Sequence, residues 1–205
     1  MNIDLRELKA SLRYKLLTAL VIPRPIAWIT SVDDTGRVNA APYSFFNVLG
    51  NLPPLVAFGP GNRIDGSSKD TARNVESFGE FVVNLVDEEA AKVMHATAAA
   101  FPPETSEVEA LGLETLESSL VRPPRLAVSK VHLECVFVGK FVHGENQVLF
   151  GEVRCLHTPD GWIDPDTYQV EPGVFHAVGR LQGPGWYSTT NERFTLGPYP
   201  PVPSE

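Results

Sequence analysis

The chain has 205 residues, with 17 Lys+Arg against 25 Asp+Glu and a formal net charge of −8 at pH 7. Neither that balance nor any local run of like charge supplies the basic face that binding to nucleic acid requires, which excludes nucleic acid as the main partner. No apolar stretch approaches the roughly 20 residues of a bilayer span, and Met1-Asn2-Ile3-Asp4-Leu5 has no basic region ahead of an apolar core, so no membrane anchor and no secretory signal are expected and the expected location is the cytoplasm. Hydrophobic residues at 43% and charged residues at 20% describe an ordinary globular protein. The 18 prolines favour many short elements over a helical bundle.

Along residues 2–20, Leu5, Leu8, Leu12, Leu16 and Leu20 recur at helical spacing and predict one or two short amphipathic helices. Arg24 to Val32 reads as a strand apolar on both faces. The turn Asp33-Asp34-Thr35-Gly36 follows, and then a second strand from Arg37 to about Pro42. Leu55 to Phe58 predicts a third strand. A short helix is expected between Asp70 as N-cap and Gly79 as terminator. Glu80 to Val86 reads as a strand, and Asp87 to Ala100 as a helix with acids at its N-terminus. Ser106 and Glu109 have capping-box spacing.

A hairpin is expected from Lys130–His143 and Gln147–Leu156 through a three-residue loop, Gly144-Glu145-Asn146. Equal parity of its arms would set Cys135 opposite Cys155, both read as reduced thiols. One more strand is expected around Val178 to Leu181. Pro198, Pro200, Pro201 and Pro203 predict an extended tail. No repeat or linker divides the chain, so it reads as one α+β domain on an antiparallel barrel, with a core at about 14–190 and a Pro-rich tail at 191–205.

Several familiar chemistries are absent. The chain has no G-x-x-x-x-G-K-[ST], H-E-x-x-H or G-x-S-x-G, and no G-x-G-x-x-G between strand and helix. His95, His132, His143, His157 and His176 are scattered, and nothing in their spacing suggests a metal. What remains is small and polar. Asn39-Ala40-Ala41-Pro42-Tyr43-Ser44-Phe45-Phe46-Asn47 offers positions where backbone could approach a ligand, with Thr30 and Ser31 adding hydroxyls on the preceding strand. Ser67-Ser68-Lys69-Asp70-Thr71 puts an ammonium and hydroxyls at a helix start, an arrangement suited to anions. A capped surface helix with a solvated lysine explains the second segment alone; a phosphate-bearing aromatic ligand explains both together.

These residues resemble the flavin reductase-like family of FMN-binding split-barrel flavoproteins. The resemblance rests on Arg24-Pro25-Ile26-Ala27-Trp28-Ile29-Thr30-Ser31, Gly36-Arg37-Val38-Asn39-Ala40-Ala41-Pro42-Tyr43-Ser44-Phe45-Phe46, Pro53-Pro54-Leu55-Val56, and Lys69-Asp70-Thr71-Ala72-Arg73-Asn74 followed by Phe81-Val82-Val83-Asn84. Phe150-Gly151-Glu152-Val153 and Gly179-Arg180-Leu181 fit more loosely. The match runs from about Tyr14 to Tyr187.

The resemblance implies an antiparallel split β-barrel with short peripheral helices, forming a homodimer that binds FMN non-covalently. It places Thr30 and Ser31 on the flavin or its ribityl chain and Ala40, Ala41 and Pro42 beside the ring, with Asn39 also among the cofactor-binding residues. Ser44, Phe45 and Asn47 fall at one phosphate segment, Lys69, Asp70 and Thr71 at another, and Arg24 at ring or phosphate. Trp28 is expected in the core. The implied activity is that of an oxidoreductase passing electrons from NADH or NADPH through FMN to flavin or another acceptor, with no catalytic side chain, and it allows a partner oxygenase. Short reductases of the family carry Gly-Asp-His in the hairpin loop where this chain has Gly144-Glu145-Asn146. An electron carrier without nicotinamide activity, or a barrel module that holds no flavin, are the alternatives.

Overall fold

The structure, a computed structural model, describes residues 1–63, 65–102 and 105–197. The expected proline tail from Pro198 onward lies outside the described residues. A 3-10 turn at Leu5–Glu7 leads into helix α1 (Ala10–Leu20). Then follow β1 (Ala27–Val32), β2 (Val38–Tyr43), β3 (Phe46–Asn51), β4 (Pro54–Phe58), α2 (Asp70–Phe78), β5 (Glu80–Leu85), α3 (Glu88–Ala96) and α4 (Glu107–Ala110). A short ribbon pairs β6 (Thr115–Leu116) with β7 (Arg125–Leu126). The long hairpin β8 (Val131–His143) and β9 (Asn146–His157) comes next, and a second ribbon pairs β10 (Gly179–Arg180) with β11 (Tyr187–Ser188). Among the described residues no helix is long and apolar enough to cross a membrane.

Seven strands form one antiparallel sheet in the order β2-β1-β5-β8-β9-β4-β3. Its two edges, β2 and β3, are consecutive in the chain and joined only by Ser44 and Phe45. In a flat sheet six strand spacings would separate those edges by roughly 29 Å. From Tyr43 to Phe46 the chain reaches about 11 Å. The sheet must therefore roll on itself, and β2 and β3 face each other across a seam without forming a ladder.

Rolling gives the sheet an inside and an outside, and β1 is buried on both. Ala27 and Ile29 join Phe58, Phe81, Val83, Cys135 and Leu149 inside, where α2 adds Ala72 and Val75. Ile26 and Trp28 face out into a second cluster under Ala90 and Met94 of α3 and Val108 of α4. The sequence expectation of a strand buried on both faces, with Trp28 in the core, is what the structure has. Pro42 sits in an edge strand, where its missing N–H breaks no second ladder.

Several boundaries differ from expectation. β3 was not predicted: Asn47, Val48 and Leu49 are exposed on this edge strand, so its sequence shows no alternation. The predicted helix at 87–100 is shorter, because Asp87 is its N-cap, accepting from the Ala90 N–H, and the helix ends at Ala96. Asp70 is the first residue of α2 rather than its cap. Lys69 holds the N-cap position without a side-chain cap bond, and Gly79 ends the helix at φ 72° as expected.

The hairpin differs most. His143 pairs with Asn146, so the loop is the two residues Gly144 and Glu145, with Gly144 at φ 58° matching the Gly-first turn that suits strand twist. Two bulges then shift the register, at Phe137/Gly139 and at Glu134/Cys135. Cys135 consequently pairs with Val153, and Cys155 faces Glu134. Both cysteines are free thiols, but they do not sit opposite each other.

Gly151 marks where β9 passes closest to the core. A Cβ there would meet Phe81 Cζ at 2.3 Å and Cε1 at 2.7 Å, and Phe81 is fully buried with no room to yield. Gly151→Ala is expected to destabilise the protein by about 1–3 kcal/mol through overpacking, read as a lower urea midpoint at unchanged m-value.

Candidate functional site

Two clefts open along the seam. The first, of ≈ 730 Å³, is mainly aromatic and aliphatic, lined by Tyr14, Phe45, Phe46, Leu49, Phe141 and Phe150, with Ser44, Asn47, Asn146 and Gln147 as polar groups. The second, of ≈ 780 Å³, is the more polar of the two: Asn39, Arg63, Asp65, Lys69, Asp70, Thr71 and Glu107 line it beside Ala41 and the segment Ala98–Phe101. Pro42, Tyr43 and Lys69 border both. Each volume is in the range of small-molecule sites.

The local structure explains this placement. Gly59 N–H donates to the Phe45 carbonyl at 2.7 Å, which ties the end of β4 to the link between the sheet edges. The hairpin tip folds over the same region. Gln147 Nε2 donates to Asn62 Oδ1 at 2.9 Å, and Asn62 Nδ2 donates to the Glu145 carbonyl at 3.1 Å. On the other side, Thr71 Oγ1 accepts from Asn39 Nδ2 at 2.8 Å and from the Tyr43 hydroxyl at 2.9 Å. Burial raises the Tyr43 phenol, so this hydroxyl remains a donor.

The charges are arranged asymmetrically. Asp70 pairs with both Arg63 and Arg73, which neutralises the carboxylate that would otherwise oppose an anion. Lys69 is half-buried over the Tyr43 ring, its Nζ 5.5 Å from the ring centroid. Among the described residues no carboxylate pairs with it. Burial first and the neighbouring Arg63 second lower its pKa. An ammonium short of solvent and beside a like charge is relieved by an anion. Across the polar cleft, burial raises the Glu107 carboxyl, whose Oε2 accepts from Ala40 N–H at 3.0 Å.

Of the residues expected at a site, Asn39, Ala41, Pro42, Ser44, Phe45, Asn47, Lys69, Asp70 and Thr71 line one or both clefts. Thr30, Ser31, Ala40 and Arg24 stand elsewhere. Thr30 is fully buried and donates to the Pro124 carbonyl at 2.6 Å, while Ser31, also fully buried, accepts from Asn74 at 3.2 Å. Ala40 is buried with its amide held by Glu107. Arg24 is a structural clamp: its guanidinium donates to the carbonyls of Thr18 at 2.6 Å and Val21 at 3.0 Å behind α1, to Leu181 at 3.0 Å, and to Ser44 Oγ at 3.4 Å. Those partners commit four of its five donors, which is the turn-capping role of an arginine.

Sequence reading missed Arg63, Glu107, Phe141 and Gln147. Arg63 sits in a glycine-flanked turn without a motif, and Glu107 reads only as a first-turn acid of α4. Phe141 and Gln147 arrive when the β8–β9 hairpin folds over the seam, a long-range event with no local signal.

Residues 19–178 match the family model of the flavin reductase like domain. A protein of Deinococcus radiodurans with no assigned function is 42% identical over 201 residues, covering 96% of this chain and 88% of that one. Component B of nitrilotriacetate monooxygenase from Bacillus cereus superposes with a TM-score of 0.89 at 33% identity, covering 96% and 98% of the two chains. The 2-nitrobenzoate 2-nitroreductase NbaA of Pseudomonas fluorescens superposes at 0.90 with 33% identity, over 100% and 99%. With the seam, its paired clefts and the family match over most of its length, the chain belongs to the flavin reductase-like family.

Proposed function

We propose that the chain is a single-domain, cytoplasmic split-barrel flavoprotein that binds FMN non-covalently and passes electrons from NADH or NADPH to flavin or another acceptor. The observation that carries this reading is Lys69, a half-buried ammonium at the junction of an aromatic and a polar cleft, with no carboxylate partner among the described residues. That donor set fits a ligand joining an aromatic ring system to a phosphate. Lys69 and Arg63 would hold the phosphate, with the Asn39–Thr71–Tyr43 network fixing the wall beside it. The backbone from Ala41 to Asn47 would border the rest. Bound there, the flavin supplies hydride and single-electron chemistry, while the protein orients it and limits solvent. The names of the structural neighbours, a monooxygenase component and a nitroreductase, favour a redox role and allow a partner oxygenase.

A second reading, an electron carrier without nicotinamide activity, is favoured by one feature. The two-residue turn at the hairpin tip carries Glu145, an exposed acid next to the Asn146 that lines the aromatic cleft. An acid at the mouth repels a dinucleotide's phosphates.

The homodimer belongs to the same proposal. Leu17 and Leu20 of α1, with Val48, Leu49 and Leu52 around β3, stand largely exposed, and Tyr14 of α1 and Leu49 of β3 both line the aromatic cleft; this apolar surface is what a second copy would cover. Light scattering is expected to give twice the chain mass; the mass of one chain would remove the dimer. Purified protein is expected to be yellow, with a visible spectrum bleached anaerobically by NADH or NADPH. Yellow protein that resists both would select the carrier, and colourless protein that takes up no FMN would sink both readings. Replacing Lys69 by Ala should weaken FMN by roughly 10- to 100-fold, in line with about 1.5–3 kcal/mol for a charged hydrogen bond, while riboflavin binding changes little. An equal effect on both ligands would refute the phosphate role.

A further inference from the structure

Far from the seam, the register of the long hairpin assembles a group of side chains that the function above leaves unused. His132 pairs directly with His157 and Glu134 with Cys155. Residues two apart on a strand share a face, so these four occupy one side of the two strands. A Glu134 carboxylate oxygen, Cys155 Sγ and a His157 ring nitrogen all lie within 4.8 Å of one another. His157 Nε2 is 3.4 Å from Cys155 Sγ and 2.5 Å from Glu134 Oε1.

The carboxylate ligand already has the outer support that metal sites use. Glu134 is fully buried, and its two oxygens accept from the backbone N–H groups of Ser119 at 2.7 Å and Leu120 at 2.6 Å. A carboxylate has about four lone-pair positions, so capacity remains beyond these two. His132 is 3% exposed and its Nε2 lies 3.0 Å from the Leu126 carbonyl, a partner that can only accept. That fixes the proton on Nε2. Its Nδ1 is then a buried lone pair with no partner among the described residues, and its ring centroid is 6.3 Å from that of His157. An orphaned acceptor in a buried ring costs stability unless something supplies a donor.

We propose that Glu134, Cys155 and His157 bind one divalent transition-metal ion of the zinc type, with a water at the fourth corner that donates to His132 Nδ1. The charges close: one carboxylate and one thiolate neutralise a divalent cation, with a neutral imidazole as third ligand. One edge of the required tetrahedron is already in place and one must open. A tetrahedral ion with the usual Zn–S and Zn–N lengths sets an S···N edge of about 3.5 Å, against the 3.4 Å between Cys155 and His157. The N···O edge would be about 3.4 Å, so the 2.5 Å contact of His157 with Glu134 must open by roughly 0.9 Å as the proton between them gives way to metal. Cys155 and His157 are only partly buried, which leaves an entry path. Such a site would pin the loop at Ser119 and Leu120 to the end of the hairpin, and it lies apart from the flavin clefts.

The test uses the full chain with its bound flavin, freed of metal by a chelator under reducing conditions and titrated with Co²⁺. Expected are one ion per chain, intense d–d bands on the red side of the flavin absorption and a thiolate-to-cobalt charge-transfer band, all bleached by equimolar Zn²⁺. Cys155→Ser should abolish the charge-transfer band, and both it and His157→Gln should weaken binding at least about 10-fold. Cys135→Ala should retain the spectrum. Only the weak spectrum of solvated cobalt in the parent chain would overturn the proposal. So would an unchanged spectrum in Cys155→Ser, or loss of the band in Cys135→Ala while Cys155→Ser keeps it.

Discussion

A two-residue link between the opposite edges of a seven-stranded sheet governs this molecule. Because Ser44 and Phe45 must bridge β2 and β3, the sheet cannot lie flat, and its rolling creates an enclosed interior for Phe58, Phe81 and Leu149. The same link leaves a seam where the ladder does not close. Backbone and small side chains of Ala41 to Asn47 line that seam, which is why both clefts are found there. Arg24 reinforces the constraint from behind by joining the end of α1 and the strand region at Leu181 to Ser44.

Electrostatics at the seam work against the molecule as a whole. A chain of net charge −8 does not attract anions at long range, so any anion site must be built from local donors. Arg63 and Arg73 absorb the charge of Asp70, and of the two cations lining the clefts, Arg63 and Lys69, this leaves Lys69 without an acid partner among the described residues. Burial and a like-charged neighbour then disfavour its protonated state. A bound phosphate reverses that penalty, which ties the affinity of the proposed flavin site to the partial burial of one side chain.

The register of β8 and β9 carries a separate lesson. Counting parity from a three-residue loop puts the two cysteines face to face. The actual two-residue turn and the two bulges move Cys155 to the other face, opposite Glu134 and next to His157. Each bulge inserts one unpaired residue, and one residue reverses every side chain beyond it. Residues that look scattered in the sequence thus become a cluster.

By itself, the sequence determined the order of most elements, the two-faced burial of β1 through its unbroken apolar run, the terminator Gly79, and the segments from Asn39 to Asn47 and from Lys69 to Thr71 that border the clefts. These rest on local patterns: periodicity, turn chemistry and small residues where backbone must be approached. Tertiary structure alone decided which partners hold Thr30, Ser31 and Arg24, because Pro124, Asn74 and Leu181 come from distant parts of the chain. It also decided that Arg63, Glu107 and Gln147 reach the site, and that Glu134, Cys155 and His157 meet. The physical reason is the same in each case: sheet register and closure act over long separations and hinge on single-residue shifts, which no local pattern records.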